Sequence, residues 1–210
     1  MLRIIFIITI SYLLGSIPTA YIFARLIKGV DIREFGSGNV GATNAFRLLG
    51  KGWGITILLL DILKGFLPVV LLGDIFTKQT DLIQAQNIFI IIGLACIAGH
   101  NWTIFLKFKG GKGVATTLGV LLGLALKISG LNIVLGLTVL IWFVSFFIVR
   151  IISFSSVLAA ISFPILTVLF RQSPVLISLG VLLSVFIILR HRSNIKRLLE
   201  GKESRLSFKK

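Results

Sequence analysis

Long apolar runs separated by short polar connections dominate the sequence of this 210-residue chain. Hydropathy places seven runs near residues 2–25, 53–76, 87–106, 113–128, 131–149, 153–170 and 174–190. A helix that crosses the hydrocarbon core of a bilayer needs about 20 mostly apolar residues, and most of these runs approach that length. The runs are continuous rather than alternating, which favours helices over a β-barrel. The pattern therefore predicts an all-α integral membrane protein with about seven transmembrane helices, in which residues 1–210 form a single membrane-embedded domain.

The number of spans depends on the fourth and fifth runs. Only the short segment from Lys127 to Gly130 separates them, and the fourth run is itself short. A five-span alternative, with some segments re-entrant or interfacial, therefore stays open. The first run continues through Ala24, which favours a spanning helix over a cleaved signal peptide.

The positions of Lys and Arg predict the orientation. With the N-terminus outside, 17 of the 22 basic residues fall inside, four outside and one within the second span. The positive-inside rule then places the C-terminus in the cytoplasm. The same rule and anionic lipid headgroups explain the net charge of +15, so nucleic acid is not an expected partner. The single cysteine, Cys96, and the lack of a carboxylate cluster predict no disulfide, no metal and no cofactor.

Three inside segments are polar, basic and rich in Gly, Ser, Asn and His. They cover residues 31–51, 99–116 and 190–205. The predicted orientation places all three on the cytoplasmic face, and no other connection has a comparable composition. We therefore expect them to build any active site.

The first segment contains the sequence GSGNVGATN, from Gly36 to Asn44. Its glycines permit positive φ and expose backbone N–H groups that can wrap an anion. Thr43 or Asn44 is predicted to cap a short helix that carries Arg47. A nucleotide loop is disfavoured, because no strand precedes the glycines and no lysine follows Gly41.

The second and third segments combine histidine, asparagine and basic residues. In GHNWTIFLKFKGGKGVATT, His100 ends a span and three lysines flank a glycine pair, so that amides, ammonium groups and a following helix start can converge on phosphate. In LRHRSNIKRLLEGKESR, His191 and Asn194 are spaced i, i+3 on one helix face. A basic amphipathic helix at the membrane surface is predicted to follow.

Asp61 and Lys64 are also spaced i, i+3, inside the second span. Two unpaired charges there would be costly, so a mutual ion pair in the bundle interior is predicted. Its role stays open between a structural pair and a proton or ion path.

Together the three motifs resemble those of the bacterial acyl-phosphate:glycerol-3-phosphate acyltransferase family (PlsY), over essentially the whole chain. The resemblance implies acyl transfer from a fatty acyl phosphate to the 1-hydroxyl of sn-glycerol 3-phosphate. The implied products are lysophosphatidic acid and inorganic phosphate, in the first acylation of phospholipid biosynthesis. It also implies a multi-pass protein of the bacterial inner membrane with a cytoplasmic active site. The predicted partners are glycerol 3-phosphate, fatty acyl phosphate and membrane lipids, and the chain is expected to be monomeric.

Residue roles follow as hypotheses. The predicted catalytic residues, which orient the acceptor or stabilise the reacting acyl group, are Ser37, His191, Asn194 and His100. The predicted substrate and phosphate ligands are Gly36, Gly38, Asn39, Gly41, Thr43, Asn44, Arg47, Lys107, Lys109, Gly110, Gly111, Lys112 and Gly113. The general base stays open between His191 and the phosphate of the acyl donor, and Ser37 as an acylated nucleophile is the less favoured alternative. A transporter is the main rival class, because it also uses glycine-broken helices and buried charges.

Overall fold

A computed structural model describes residues 2–78 and 85–206, and within these ranges the regular structure is helical, without a strand. The ten α-helices are α1 (Leu2–Ser16), α2 (Thr19–Lys28), α3 (Ala42–Leu49), α4 (Lys51–Thr77), α5 (Ala85–Asn101), α6 (Val114–Ala125), α7 (Leu131–Val149), α8 (Ile152–Leu169), α9 (Pro174–Arg190) and α10 (Arg192–Leu199). Short 3₁₀ turns cover Ile32–Glu34 and Ile104–Leu106. The all-α prediction is confirmed.

Among the described residues, five helical stretches are long and apolar enough to cross a membrane. They are Leu2–Lys28, Lys51–Thr77, Ala85–Leu106, Leu131–Val149 and Ile152–Leu169, and α9 with α10 adds a sixth only if this pair, bent by 63°, counts as one span. The predicted fourth span becomes α6, which has only 12 residues. At about 1.5 Å per residue it is roughly 18 Å long, too short for a hydrocarbon core of about 30 Å. The count of seven spans and the orientation of the termini remain predictions.

The chain divides into two compact units, Met1–Lys127 and Ile128–Lys210. The N-terminal unit contains α1 to α6, and the C-terminal unit contains α7 to α10. In the first, α1 crosses α5 at Gly15 and Gly99, where an added methyl group would overlap the backbone of the other helix. Small residues at a crossing let helix backbones approach closely. The prediction of a single domain stays a prediction.

Within the N-terminal unit, α4 and α5 run antiparallel. Gly73 of α4 packs against Phe89 near the start of α5, whereas Asp61 lies beside His100 near its end. The start of α6 packs on the same half of α4, because Gly65 lies against the Thr116 carbonyl. The beginning of α4, the end of α5 and the beginning of α6 therefore share one end of this unit.

An apolar cluster joins the first two polar segments at that end. Its buried members are Ala20, Ala24, Ile32, Val40, Ala45, Ile57 and Leu106. Ile32, Val40 and Ala45 belong to the first segment, and Leu106 belongs to the second. These two segments therefore share one apolar cluster within the N-terminal unit.

Candidate active site

The loop of the first segment is organised by the side chain of Asn44, which is 2% exposed. Its Oδ1 accepts a hydrogen bond from the Ser37 N–H at 3.1 Å, and its Nδ2 donates to the carbonyls of Ile32 at 3.1 Å and Phe35 at 2.9 Å. These bonds use both amide hydrogens and one of the two Oδ1 lone pairs. Asn44 thereby fixes the backbone that presents Ser37.

The predicted helix cap is corrected by the start of α3. The N-cap is Gly41, with φ −120° and ψ 169°, and Thr43 and Asn44 lie inside the first turn. Asn44 cannot cap because its amide already bridges the loop before the helix. Arg47 lies on the last turn of α3 and is exposed, as is Ser37 in the loop.

Positive φ angles shape the loop at Gly36 (56°) and Gly38 (68°). A methyl group on Gly36 would also overlap the Asn44 Oδ1. Asn39, between these glycines and Gly41, is half-buried. The glycines thus serve the close wrapping of the loop around Asn44.

An ion-pair cluster anchors the entry to the loop. The Arg33 guanidinium donates to both Asp31 oxygens, at 2.6 Å from Nη2 and 3.0 Å from Nε. The Nη2 of Arg25 lies 3.8 Å from the Oδ2 of Asp31. The Tyr21 ring lies 5.5 Å and 5.4 Å from the guanidinium carbons of Arg25 and Arg33. Hydrogen bonding to Arg33 lowers the pKa of Asp31 to about 2, so this carboxylate is ionised at neutral pH.

The glycine loop of the second segment folds back onto the end of α5. The N–H of Gly110 donates to the Asn101 carbonyl at 3.2 Å, and that of Gly111 to the His100 carbonyl at 3.0 Å. Both residues pack so tightly that an added methyl group would overlap His100. The expectation that these two amides bind phosphate does not fit, because both are committed to the loop itself.

The lysines of this segment lie on both sides of the glycine pair in the sequence. Lys107 and Lys109 are exposed and Lys112 is half-buried. Gly113, with φ 81°, is the N-cap of α6 and packs against the buried Asn101, whose Oδ1 has no hydrogen-bond partner in the described structure. The positive end of the α6 dipole therefore begins directly after Lys112, which makes the N-cap region and the lysines suited to an anion.

The predicted ion pair of Asp61 and Lys64 is confirmed, with 2.8 Å between Oδ1 and Nζ. Its carboxylate also lies 3.8 Å from the Nδ1 of His100. His100 is buried, with 6% of its surface exposed, and its ring packs against Gly111 of the glycine loop.

In the C-terminal unit, the chain bends by 63° between α9 and α10. His191 is the junction between α9 and α10 and is 3% exposed. Its Nδ1 lies 2.8 Å from the Ile187 carbonyl oxygen, which can only accept, so Nδ1 carries a hydrogen. A neutral imidazole then has its lone pair on Nε2.

Asn194 is held by a residue that sequence reasoning did not place at the site. Glu203 accepts a short hydrogen bond from the Asn194 amide, one from the Ser153 hydroxyl at 2.8 Å and one from Arg197 Nε at 2.6 Å. Burial raises the pKa of Glu203, but these three donors outweigh it and lower the pKa overall. Glu203 lies nine residues beyond Asn194, a separation that no helical periodicity connects, and α10 ends at Leu199, before the predicted surface helix would. No group of three or more potential metal ligands occurs in the part of the chain that the structure describes.

Comparisons with known proteins agree over nearly the whole chain. A family profile described as glycerol-3-phosphate acyltransferase matches residues 5–201. Proteins named glycerol-3-phosphate acyltransferase are similar in Desulforudis audaxviator, 41% identical over 100% of this chain and 98% of the relative, and in Geobacter sulfurreducens, 42% identical over 98% of each.

Two crystal structures of PlsY, described as an integral membrane glycerol 3-phosphate acyltransferase, are also similar. The glycerol 3-phosphate form has a TM-score of 0.84 and 38% identity and covers 97% of this chain and 96% of that one. The lysophosphatidic acid form has a TM-score of 0.81 and 37% identity, with 97% and 95% covered.

Proposed function

The chain belongs to the glycerol-3-phosphate acyltransferase family, and from this premise we propose that it transfers a fatty acyl group from an acyl phosphate to the 1-hydroxyl of sn-glycerol 3-phosphate. The products are lysophosphatidic acid and inorganic phosphate. Family membership makes the chain an acyltransferase and a multi-pass membrane protein, which removes the transporter alternative. The proposal places it in the bacterial inner membrane as a monomer, with its polar segments in the cytoplasm.

The observation that carries this proposal is the similarity of the chain to structures described as holding glycerol 3-phosphate and lysophosphatidic acid. These molecules differ by one acyl group on one glycerol oxygen, so they match an acceptor and its product. The phosphate common to both fits a site with exposed cationic side chains. In this chain Arg47 and Lys109 are exposed on two segments that share one apolar cluster.

The choice of an acyl phosphate donor is supported by the chemistry of the site. An acyl phosphate is a mixed anhydride with a good leaving group, so positioning and charge stabilisation suffice without metal or cofactor. The glycerol oxygen bonds to the acyl carbon, the bond from that carbon to the phosphate oxygen breaks, and its electron pair leaves with phosphate. The hydroxyl proton goes to the departing phosphate or to His191, whose Nε2 is the acceptor in the neutral ring.

In this proposal Arg47, Lys109 and Lys112 bind the phosphate groups, because guanidinium and ammonium groups make charge-assisted hydrogen bonds to phosphate oxygens. Lys107 is a further candidate ligand in the same loop. The exposed Ser37 hydroxyl orients the acceptor or the reacting carbonyl. In the other unit, His191 and Asn194 keep the roles proposed from sequence, and Glu203 fixes the Asn194 amide.

The deciding experiment uses the purified full chain in phospholipid vesicles. We expect phosphate release and lysophosphatidic acid formation in equal amounts from acyl phosphate and glycerol 3-phosphate, and no phosphate release above background without the acceptor. Acyl-CoA and acyl carrier protein thioesters serve as alternative donors in parallel reactions. Product from a thioester but not from acyl phosphate would disprove the proposed donor, and no product from any donor would disprove the reaction.

A second experiment separates direct transfer from an acyl-enzyme. Acyl phosphate is mixed with the chain for a single turnover, quenched, and digested for mass spectrometry of the peptide that contains Ser37. Direct transfer predicts an unmodified peptide. An acylated Ser37 that forms and decays at the rate of product formation would show that the serine is the nucleophile.

A further inference from the structure

A buried polar network in the N-terminal unit lies behind the glycine loop. Asp61 is 1% exposed, and its Oδ1 accepts hydrogen bonds from Lys64 Nζ at 2.8 Å and from the Thr19 hydroxyl at 2.6 Å. The Lys64 ammonium group also donates to the Ile17 carbonyl at 2.8 Å. Ile17 lies in the short connection between α1 and α2. The carboxylate is therefore held from two sides in one position.

Pairing with Lys64 does not by itself explain why a carboxylate is buried at position 61. Two charges taken out of water are costly, and a well-packed apolar pair of similar volume is often as stable. Asp61 differs from a simple partner of Lys64 because a second hydrogen-bond donor, Thr19, orients the oxygen that faces His100. The distance from that Oδ1 to His100 Nδ1 is 3.8 Å. This distance is too long for a hydrogen bond, so the carboxylate acts through its charge, which favours hydrogen on Nδ1 and orients that edge of the ring towards Asp61.

The other edge of the same ring supports the glycine loop. An added methyl group on Gly111 would overlap His100 Nε2, and the Gly111 N–H donates to the His100 carbonyl at 3.0 Å. The ring therefore lies between the Asp61 carboxylate and the backbone from which Lys112 projects. A change in the ring's orientation displaces that backbone, because packing this close leaves no space to absorb it.

We propose that Asp61, held by Thr19 and Lys64, is a positioning residue that fixes the His100 ring and through it the loop of residues 110–113. It does not touch substrate. The inference rests on the proposed function, in which Lys109 and Lys112 bind phosphate. The contribution of Asp61 to activity is thus the placement of this loop, beyond its pairing with Lys64.

The test replaces the ion pair by apolar residues of similar volume, Asp61→Leu with Lys64→Met, so that no buried charge is left unpaired. The matched control makes the same double change at another Asp–Lys pair of this unit, Asp74 and Lys127, in which Oδ1 and Nζ lie 2.7 Å apart. Both variants are purified as full chains in vesicles. For each we measure the melting temperature and, with the second substrate saturating, the Michaelis constant for glycerol 3-phosphate and for acyl phosphate.

We expect the Asp61 double variant to melt close to the unaltered chain and to raise at least one Michaelis constant by about tenfold or more, because small displacements of binding groups cost up to about a hundredfold in rate. The Asp74 control is expected to keep both constants. Unchanged constants in the Asp61 variant, or an equal rise in the control, would overturn the proposal.

A second readout does not depend on turnover. Hydrogen exchange of a peptide spanning residues 107–113 is expected to be about tenfold faster in the Asp61 variant, with exchange in α7 unchanged, because the Gly110 and Gly111 amides lose their fixed acceptors. If the unaltered chain makes no product, the proposed function fails and this measurement still decides the positioning. Unchanged exchange at the loop would overturn it.

If the Asp61 double variant does not fold, a milder pair of variants at Thr19 tests the same proposal. Thr19→Val keeps the shape but removes the hydroxyl that orients Asp61, whereas Thr19→Ser keeps the hydroxyl. We expect Thr19→Val to raise the same Michaelis constant and speed loop exchange, and Thr19→Ser to restore both. If Thr19→Val changed neither the Michaelis constant nor the exchange rate of the loop, the proposal would be contradicted.

Discussion

The most direct test of the first polar segment is Asn44→Ala. The substitution removes three hydrogen bonds: the Ser37 N–H loses its acceptor, and the carbonyls of Ile32 and Phe35 keep only the N–H groups of Phe35 and Gly38 as donors. We assign about 1 kcal/mol to each of the three bonds. The sum of about 3 kcal/mol corresponds to about a hundredfold in the equilibrium between the ordered and the open loop.

The assay is kcat/KM for lysophosphatidic acid formation, measured with the melting temperature in the same vesicles. We expect kcat/KM to fall by about ten to a hundredfold, because an open loop no longer places Ser37. The matched control is Asn132→Ala at an exposed position of α7, which should leave the rate unchanged. Asn44→Ala with unaltered rate and melting temperature would refute the interpretation of Asn44 as the organiser of this loop.

Three further predictions concern charge, packing and pH. Arg47→Ala should raise the Michaelis constant for a phosphate-bearing substrate about tenfold or more without reducing the amount of chain in the membrane. Arg47→Lys should restore only part of the affinity, because lysine lacks the bidentate fork of the guanidinium group. An unchanged rate would remove Arg47 from the site. Gly111→Ala should lower kcat/KM at least about tenfold through overlap with His100, whereas Gly136→Ala, with open space around it, should be neutral; equal effects would contradict the packing argument. The pKa of Asp31 in the folded chain is about 2, below its ordinary value of 3.8. The stabilisation of the fold by the ionised Asp31 carboxylate is therefore complete above about pH 4 and is lost as the pH falls towards 2. The melting temperatures of the unaltered chain and Asp31→Asn should therefore converge across that range, and a constant difference would show that the carboxylate charge is not what stabilises the loop.

Much of the helical framework follows from hydropathy, because long apolar runs in lipid have to satisfy their backbone hydrogen bonds internally. The predicted run 131–149 has the bounds of α7, and Asp61 and Lys64 form the pair that their spacing predicts. The predicted fourth run, 113–128, begins within one residue of α6 but extends three residues beyond its end at Ala125. Leu126 and Ile128 keep the composition apolar past that end, so hydropathy does not locate the end of the helix.

The sequence indicates which residue types occupy the polar segments but not the tertiary hydrogen bonds that these residues make. A loop asparagine beside glycines favours both a helix cap and a ligand contact, and only the folded loop shows that the Asn44 amide is used by backbone groups 7, 9 and 12 residues away. Glu203 had no local signal, because its partners Asn194, Ser153 and Arg197 come from two helices and its own position follows the end of α10. Tertiary hydrogen bonds of this kind leave no periodicity in the sequence.

Under the proposed function, the glycines and the cationic side chains have different roles in phosphate recognition, which a glycine-rich motif alone does not predict. In a loop that cradles phosphate, glycines expose amides to the ligand. Here the amides of Gly110 and Gly111 donate to α5, and a side chain at either position would overlap His100. These glycines let the loop pack closely on α5, so in the proposed function the charge that binds phosphate comes chiefly from Arg47, Lys109 and Lys112, assisted by the start of α6. Substitution of a glycine should then weaken binding by displacing the lysines, which is why its effect should resemble that of losing Asp61 behind the loop.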